Sequence, residues 1–450
     1  MTSDTEHSAV EQKDRLHRFS SRRFTGAAPF VLAVATVLVL TMPIPSAAAA
    51  GAPDRMLCES NAANTFSLDA RSGYVSTPDG NSIYMWSYAS STKGFQLPGP
   101  MLCVDSGVQV TVILHNTLPE PTSIVFSGQH RQKANGHPTQ PQIDGTGQLT
   151  SLTDAAPATN GSVTYTFTAG SPGTYLYESG TDVAKQREMG LTGALVVRPP
   201  GQPDHANGRA DSLFDSNREY VYLLSEVDPD LHLAVERKRA FDVTKTRARY
   251  FFINGRSMPD TIAPSNAAWL PNQPYGSLVH LKPVVPGDPN SKPALVRYLN
   301  AGSVNYPFHP HGNDQRVITE DGQPVLGTNG TDASYDKFLI DIGPGQSADT
   351  LDQWVDAEHW NAATNPIPVT LPQLQDQIVG PGTETWFSEN PYLGGAPGEV
   401  PAGVVRNNQC GEYYMVAHSH ALQQATNFGA SFGGMMTLVR IDPPAGCPTP

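Results

Sequence analysis

Val296–Gly312, VRYLNAGSVNYPFHPHG, and Gly411–His420, GEYYMVAHSH, are the two stretches from which the fold and the chemistry of this chain are read. Each is a β-rich run ending in a histidine pair at i, i+2: His309 and His311 in the first, His418 and His420 in the second. In a strand, residues two apart project from one face, so each pair offers two imidazoles to one point. Four imidazoles converging from neighbouring strands would suit copper or zinc. The plainer alternative is four polar residues at strand ends, satisfied by backbone or water.

Working outward, short apolar or alternating runs bounded by Gly, Pro, Asn and Asp recur along the chain. SIYMWSY, VQVTVIL, SIVF, SVTYTFT, TYLY and ALVV precede residue 200, and EYVYLLSEV, RYFFIN, SLVHL, ALVRYL, RVIT, KFLIDI, YYMVA and MMTLVRI follow it. That pattern predicts an all-β fold of sandwich type. PPGQPDHANGRADS interrupts the series. We therefore expect a first domain over 51–200, a linker over 201–214, a second domain over 215–442 and a tail over 443–450. A Pro-, Gly- and Asn-rich insertion at about 356–409 precedes the second histidine pair, and its Trp360, Trp386, Phe387 and Tyr392 suggest a cover over the site.

Residues 1–50 read as an export signal: Arg15, Arg18, Arg22 and Arg23, then APFVLAVATVLVL, then small residues. SRRF loosely approximates a twin-arginine signal. The apolar run is short of the ~20 residues that span a bilayer, so the mature chain is expected outside the cytoplasm and off the membrane. Lys and Arg total 29 against 42 Asp and Glu, a net charge of −13, and no basic patch argues for nucleic acid. The four cysteines, Cys58, Cys103, Cys410 and Cys447, read as disulfides in an exported chain. Cys58 with Cys103 and Cys410 with Cys447 would each staple one domain, although sequence does not fix the pairing. No GxSxG elbow, phosphate loop, HExxH or dinucleotide fingerprint is present.

Five segments extend this reading. QLPGPMLCVDSGVQVTVILHNTLPEPTSIVFSG (Gln96–Gly128) and GTYLYESGTDVAKQREMGLTGALVVRPP (Gly173–Pro200) resemble the first cupredoxin domain of multicopper oxidases. YFFINGRSMPDT, YPFHPHGNDQRVI and YYMVAHSHALQQATNFGASFGGMMTLVRI resemble their last domain. The resemblance covers most of the chain after Ala50 and implies tandem cupredoxin-like Greek-key β-sandwiches. It also implies copper, with His309, His311, His418 and His420 matching the last-domain histidines of the trinuclear cluster. The first-domain ligands do not match: the family's HWHG stands here as Val125-Phe126-Ser127-Gly128, and its HSH as Glu178-Ser179-Gly180. The type 1 ligands are replaced as well, by Tyr306, Ser419 and Gln424. A hydroxyl does not substitute for the thiolate that defines a blue copper site.

Two-domain copper nitrite reductases offer a second resemblance, through PFHPHG and HALQQATNFGA; it singles out His309 and His420 and allows a homotrimer. His130, His137, Glu178 and Met189 are further candidates to complete a metal site, below the histidine pairs. Three functions stay open: an exported copper-binding protein, an oxidoreductase with a rearranged mononuclear copper acting on a small-molecule or metal-ion substrate, and a non-catalytic binding protein on the same scaffold.

Overall fold

A computed structural model describes residues 57–284, 288, 291–312, 314–355 and 413–442. The leader, the 356–409 insertion, the 443–450 tail, Cys410 and Cys447 lie outside these residues. Alternating burial organises the described strands. In Thr65–Ser76, Phe66, Leu68 and Ala70 turn inward while their neighbours are partly exposed, as a strand with one solvated face requires.

The first sandwich pairs two sheets. One runs Ser82–Ser90, Thr65–Ser76, Gln109–Asn116, Gly161–Thr168, His130–Ala134, His137–Pro138; the other runs Leu102–Asp105, Thr192–Arg198, Gly173–Glu178, Val125–Phe126. Thr65–Ser76 lies parallel to Gln109–Asn116, and Thr192–Arg198 parallel to Leu102–Asp105. These crossovers between non-consecutive strands give the cupredoxin-like topology. Trp86, Tyr88, Phe126, Phe167 and Tyr177 fill the core. Cys58 and Cys103 form a disulfide, with Cα atoms 5.6 Å apart, as expected for that pair.

The second sandwich repeats the plan. Its larger sheet runs Tyr250–Ile253, Glu219–Val227, Ala294–Asn300, Ser347–Asp352, Gln315–Glu320, Gln323–Pro324, with Tyr335–Lys337 also paired to Gln315–Glu320. Its smaller sheet runs Val279–Leu281, Met436–Ile441, Tyr413–Ser419, Tyr306–Pro310, Ile340–Ile342. Between the sandwiches, Met101, Leu176 and Ala194 pack on Val221, Leu223, Leu299 and Ala301.

A buried ion network reinforces that seam. The Arg297 side chain is 0 % exposed and reaches Glu219 Oε1 at 2.8 Å and Asp349 Oδ2 at 3.1 Å. It also donates to Thr174 Oγ1 of the first sandwich at 3.0 Å, and Arg198 reaches Glu219 at 2.5 Å. A buried charge is tolerable only when paired and hydrogen-bonded in this way.

Candidate metal centre

The register of two neighbouring strands builds the centre. Tyr306–Pro310 and Tyr413–Ser419 run antiparallel with His309 directly opposite His418. The ladder continues past the strand ends: His311 N donates to Val416 O at 2.8 Å, and His420 N donates to Pro307 O at 2.7 Å. Opposed residues in an antiparallel pair share a face, as do residues two apart. All four imidazoles therefore stand on one side of the smaller sheet. The intervening Phe308, Ala417 and Ser419, each 0 % exposed, point to the other side.

Ring centroids confirm the gathering. His309 lies 4.7 Å from His311, 6.0 Å from His418 and 5.5 Å from His420; His311–His418 is 5.1 Å and His418–His420 5.8 Å. His418 Nδ1 donates to its neighbour's carbonyl, Ser419 O, at 2.8 Å, and His309 Nδ1 donates to Phe338 O at 2.5 Å. Anchoring Nδ1 on a carbonyl fixes the tautomer that keeps a lone pair on Nε2, the usual outer-shell arrangement of a ligating histidine. His311 Nε2 and His418 Nε2 approach to 3.0 Å, a span that two nitrogens at roughly 2.0–2.1 Å from one ion can keep. Burial pushes His418 down to about 4, and the adjacent imidazoles act in the same direction. It is neutral at physiological pH, as a metal ligand must be.

The set is gathered but not closed. Among the described residues, no group of three or more His, Cys, Asp or Glu side chains already stands as a complete ligand set. The converging nitrogens are those of His311 and His418. His420 is exposed and His309 half-buried.

The other candidates stand elsewhere. His130 and His137 are exposed on an edge of the larger first-sandwich sheet. Glu178 is engaged by Arg187 Nε at 2.7 Å; burial raises its carboxyl, and Arg187 opposes that rise. Met189 is a 0 % exposed core residue. Phe126 is core, and Ser179 donates to Gln186 Oε1 at 2.6 Å within a hydroxyl network shared with Thr122.

Ser419 and Gln424 form a buried polar plug beneath the histidine face. Ser419 Oγ donates to Gln424 Oε1 at 2.5 Å, and Gln424 Nε2 donates to Asn305 O at 3.0 Å. Gln424 belongs to a single 3₁₀ turn, Leu422–Gln424. The anchoring carbonyls of Phe338 and Ser419 were missed in the sequence, because a backbone acceptor has no residue signature.

Comparison with known proteins follows this geometry. Residues 78–202 match the multicopper oxidase family. No curated protein is detectably similar in sequence. Among solved structures, a blue copper oxidase from Nitrosomonas europaea aligns with a TM-score of 0.55 at 17% identity, over 84% of this chain and 85% of that one. The multicopper oxidase mgLAC aligns with a TM-score of 0.54 at 17% identity, over 86% and 87%. Among the described residues, no helix is long and apolar enough to cross a membrane.

Proposed function

We propose that this chain, which has the tandem cupredoxin fold of the multicopper oxidases, is an exported copper-binding protein that holds one ion through His309, His311, His418 and His420. The observation that carries the proposal is the placement of four imidazoles on one sheet face, with Nε2 of His311 and His418 converging to 3.0 Å. The donor set fits: neutral nitrogen ligands with anchored Nδ1 atoms suit Cu(II) or Zn(II). Copper bound there would supply Lewis acidity and one-electron redox capacity. The chain's own contribution is to keep His418 neutral and to hold His309 and His418 in a fixed tautomer.

The same reading has no type 1 centre. Ser419, Gln424 and Asn305 satisfy one another where thiolate and imidazole would be needed. It also has no first-domain half of a trinuclear cluster, because Val125, Ser127 and Gly180 stand at histidine positions of the family and Glu178, at the fourth, is bound to Arg187.

Copper loading followed by metal analysis and visible spectroscopy tests the proposal. One copper per chain, lost in His418→Ala, with only weak d–d absorption, is the expected result. Failure to retain stoichiometric copper or zinc refutes the binding site. An intense band near ~600 nm refutes the ligand set, since that colour needs a thiolate donor.

A second reading is favoured by the exposure of His420, which opens the centre to a small-molecule or metal-ion substrate. In it the same ion is a mononuclear oxidoreductase centre. Turnover of a phenol, a reduced metal ion or nitrite, abolished by His309→Ala, supports this reading, and inertness toward all three removes it. Assembly as a homotrimer is tested by the solution mass of the mature protein.

A further inference from the structure

Away from the histidines, the two sandwiches close over an acidic cavity. Glu188 ends helix Val183–Glu188 of the first sandwich, and Glu226 lies in strand Glu219–Val227 of the second. They are 6 % and 5 % exposed and line one small cavity together with Arg187, Ser225, Gly302 and Ser303. Glu188 Oε1 accepts from the Asp228 amide, and Glu226 Oε1 from the Ser303 amide, each at 2.6 Å. Glu226 Oε2 and Tyr306 Oη are both buried without a hydrogen-bond partner among the described residues. They flank the same point: a Cβ on Gly302 would lie 1.8 Å from the first and 2.0 Å from the second.

The surrounding charges do not balance. From the first sandwich Glu178, Arg187 and Glu188 face this region; from the second come Glu226, Asp228, His232 and Tyr306. Arg187, the one guanidinium, is already paired with Glu178 and donates to the Gly302 carbonyl at 3.2 Å. His232 has its two ring nitrogens near the carbonyls of Tyr84 and Glu188; burial lowers it to about 4 against both carbonyls, so the neutral ring donates to only one of them. Two carboxylates in one dry cavity cannot both stay ionised cheaply. Burial drives both upward, Glu226 to about 7 and Glu188 well above the usual carboxylate range, with Glu226 adding to the rise at Glu188.

We propose that Glu188 and Glu226 form a proton-dependent clamp between the two sandwiches, closed while the pair holds a proton and loosened when both carboxyls ionise. Protonated Glu226 has a ready acceptor in Tyr306 Oη, which accounts for two otherwise orphaned oxygens. The closed form binds more protons than the open one, so acid favours closure, and opening sets in as pH rises through neutrality. The Arg297 network holds the far side of the seam, so the opening is local.

Hydrogen exchange of the full chain at about pH 5.5 and about pH 8.5, with labelling times scaled for the intrinsic rate, tests the clamp. Peptides spanning 187–191, 223–228 and 301–303 should lose protection at the higher pH, and Glu226→Gln or Glu188→Gln should abolish that loss. Should Glu226→Gln fold poorly, Glu188→Gln and the part of the protonated-carboxyl infrared band that this variant removes carry the test. Protection independent of pH, loss persisting in both variants, or a protonated-carboxyl band at the lower pH that Glu188→Gln leaves unchanged overturns the proposal.

Discussion

Replacing Asp352 by Asn should make the stability of this protein respond differently to pH, by an amount the structure supplies. Asp352 ends strand Ser347–Asp352, is 6 % exposed, and accepts one hydrogen bond, from Thr350 Oγ1 at 2.6 Å. Its charge is felt by Tyr222 and Tyr298, which are likewise buried. Burial, with no cationic partner among the described residues, raises the carboxyl from 3.8 to about 7, and the Thr350 bond opposes the rise. A group whose folded pKa is raised contributes stability that is fully present below its unfolded value and is lost as pH climbs through the folded one. At about 1.36 kcal/mol for each unit, this loss comes to about 4 kcal/mol across the window from about pH 4 to pH 7.

Asn keeps the acceptor for Thr350 but cannot ionise. Its buried NH₂ adds a cost of roughly 1–3 kcal/mol at every pH. The difference in unfolding free energy between wild type and Asp352→Asn should therefore shift by about 4 kcal/mol in favour of the variant between about pH 4 and about pH 8. Urea unfolding of both proteins at the two pH values measures it. A difference that stays constant within about 1 kcal/mol would refute the claim that Asp352 titrates in the folded protein near neutrality.

Three further outcomes follow from the same contacts. Arg297→Met should destabilise by about 3–5 kcal/mol, because Asp349 and Glu219 then lose a shared buried partner; chemical denaturation showing less than about 1 kcal/mol would count against the network. Opening the Cys58–Cys103 disulfide, with its sequence separation of 45, should cost about 4 kcal/mol by loop entropy, measured on the double Ser variant. Copper at a hundredfold excess over its Kd should raise wild-type stability by about 2.7 kcal/mol and His418→Ala by none; equal stability with copper and with chelator in both proteins would indicate that no ion is held.

Most of the β architecture was legible, because period-2 alternation and turn residues survive in the sequence as residue identities. The two histidine pairs were legible for the same reason, since i, i+2 spacing in a strand dictates a common face. What the sequence concealed was pairwise. Nothing near Thr174 announces that it will meet Arg297 and Asp349, and nothing near Glu188 points to Glu226. Glu178 read as a stand-in ligand because it occupies a former histidine position, yet Arg187, nine residues later, claims its carboxylate. Incomplete ligand convergence was hidden too, since it depends on rotamers and on the carbonyls of Phe338 and Ser419.

The pairing of His309 with His418 makes the centre sensitive to insertions in an all-or-none manner. Lengthening the chain between the two strands costs little, about 0.6 kcal/mol for each doubling of a flexible loop. A single residue added inside either strand would carry one pair of imidazoles to the opposite face, where Phe308 and Ser419 now point. A histidine face kept on one side therefore permits growth in the loops between the strands and no drift within them. An engineer could graft a domain into a loop of the connection, but could not move the grip by one notch.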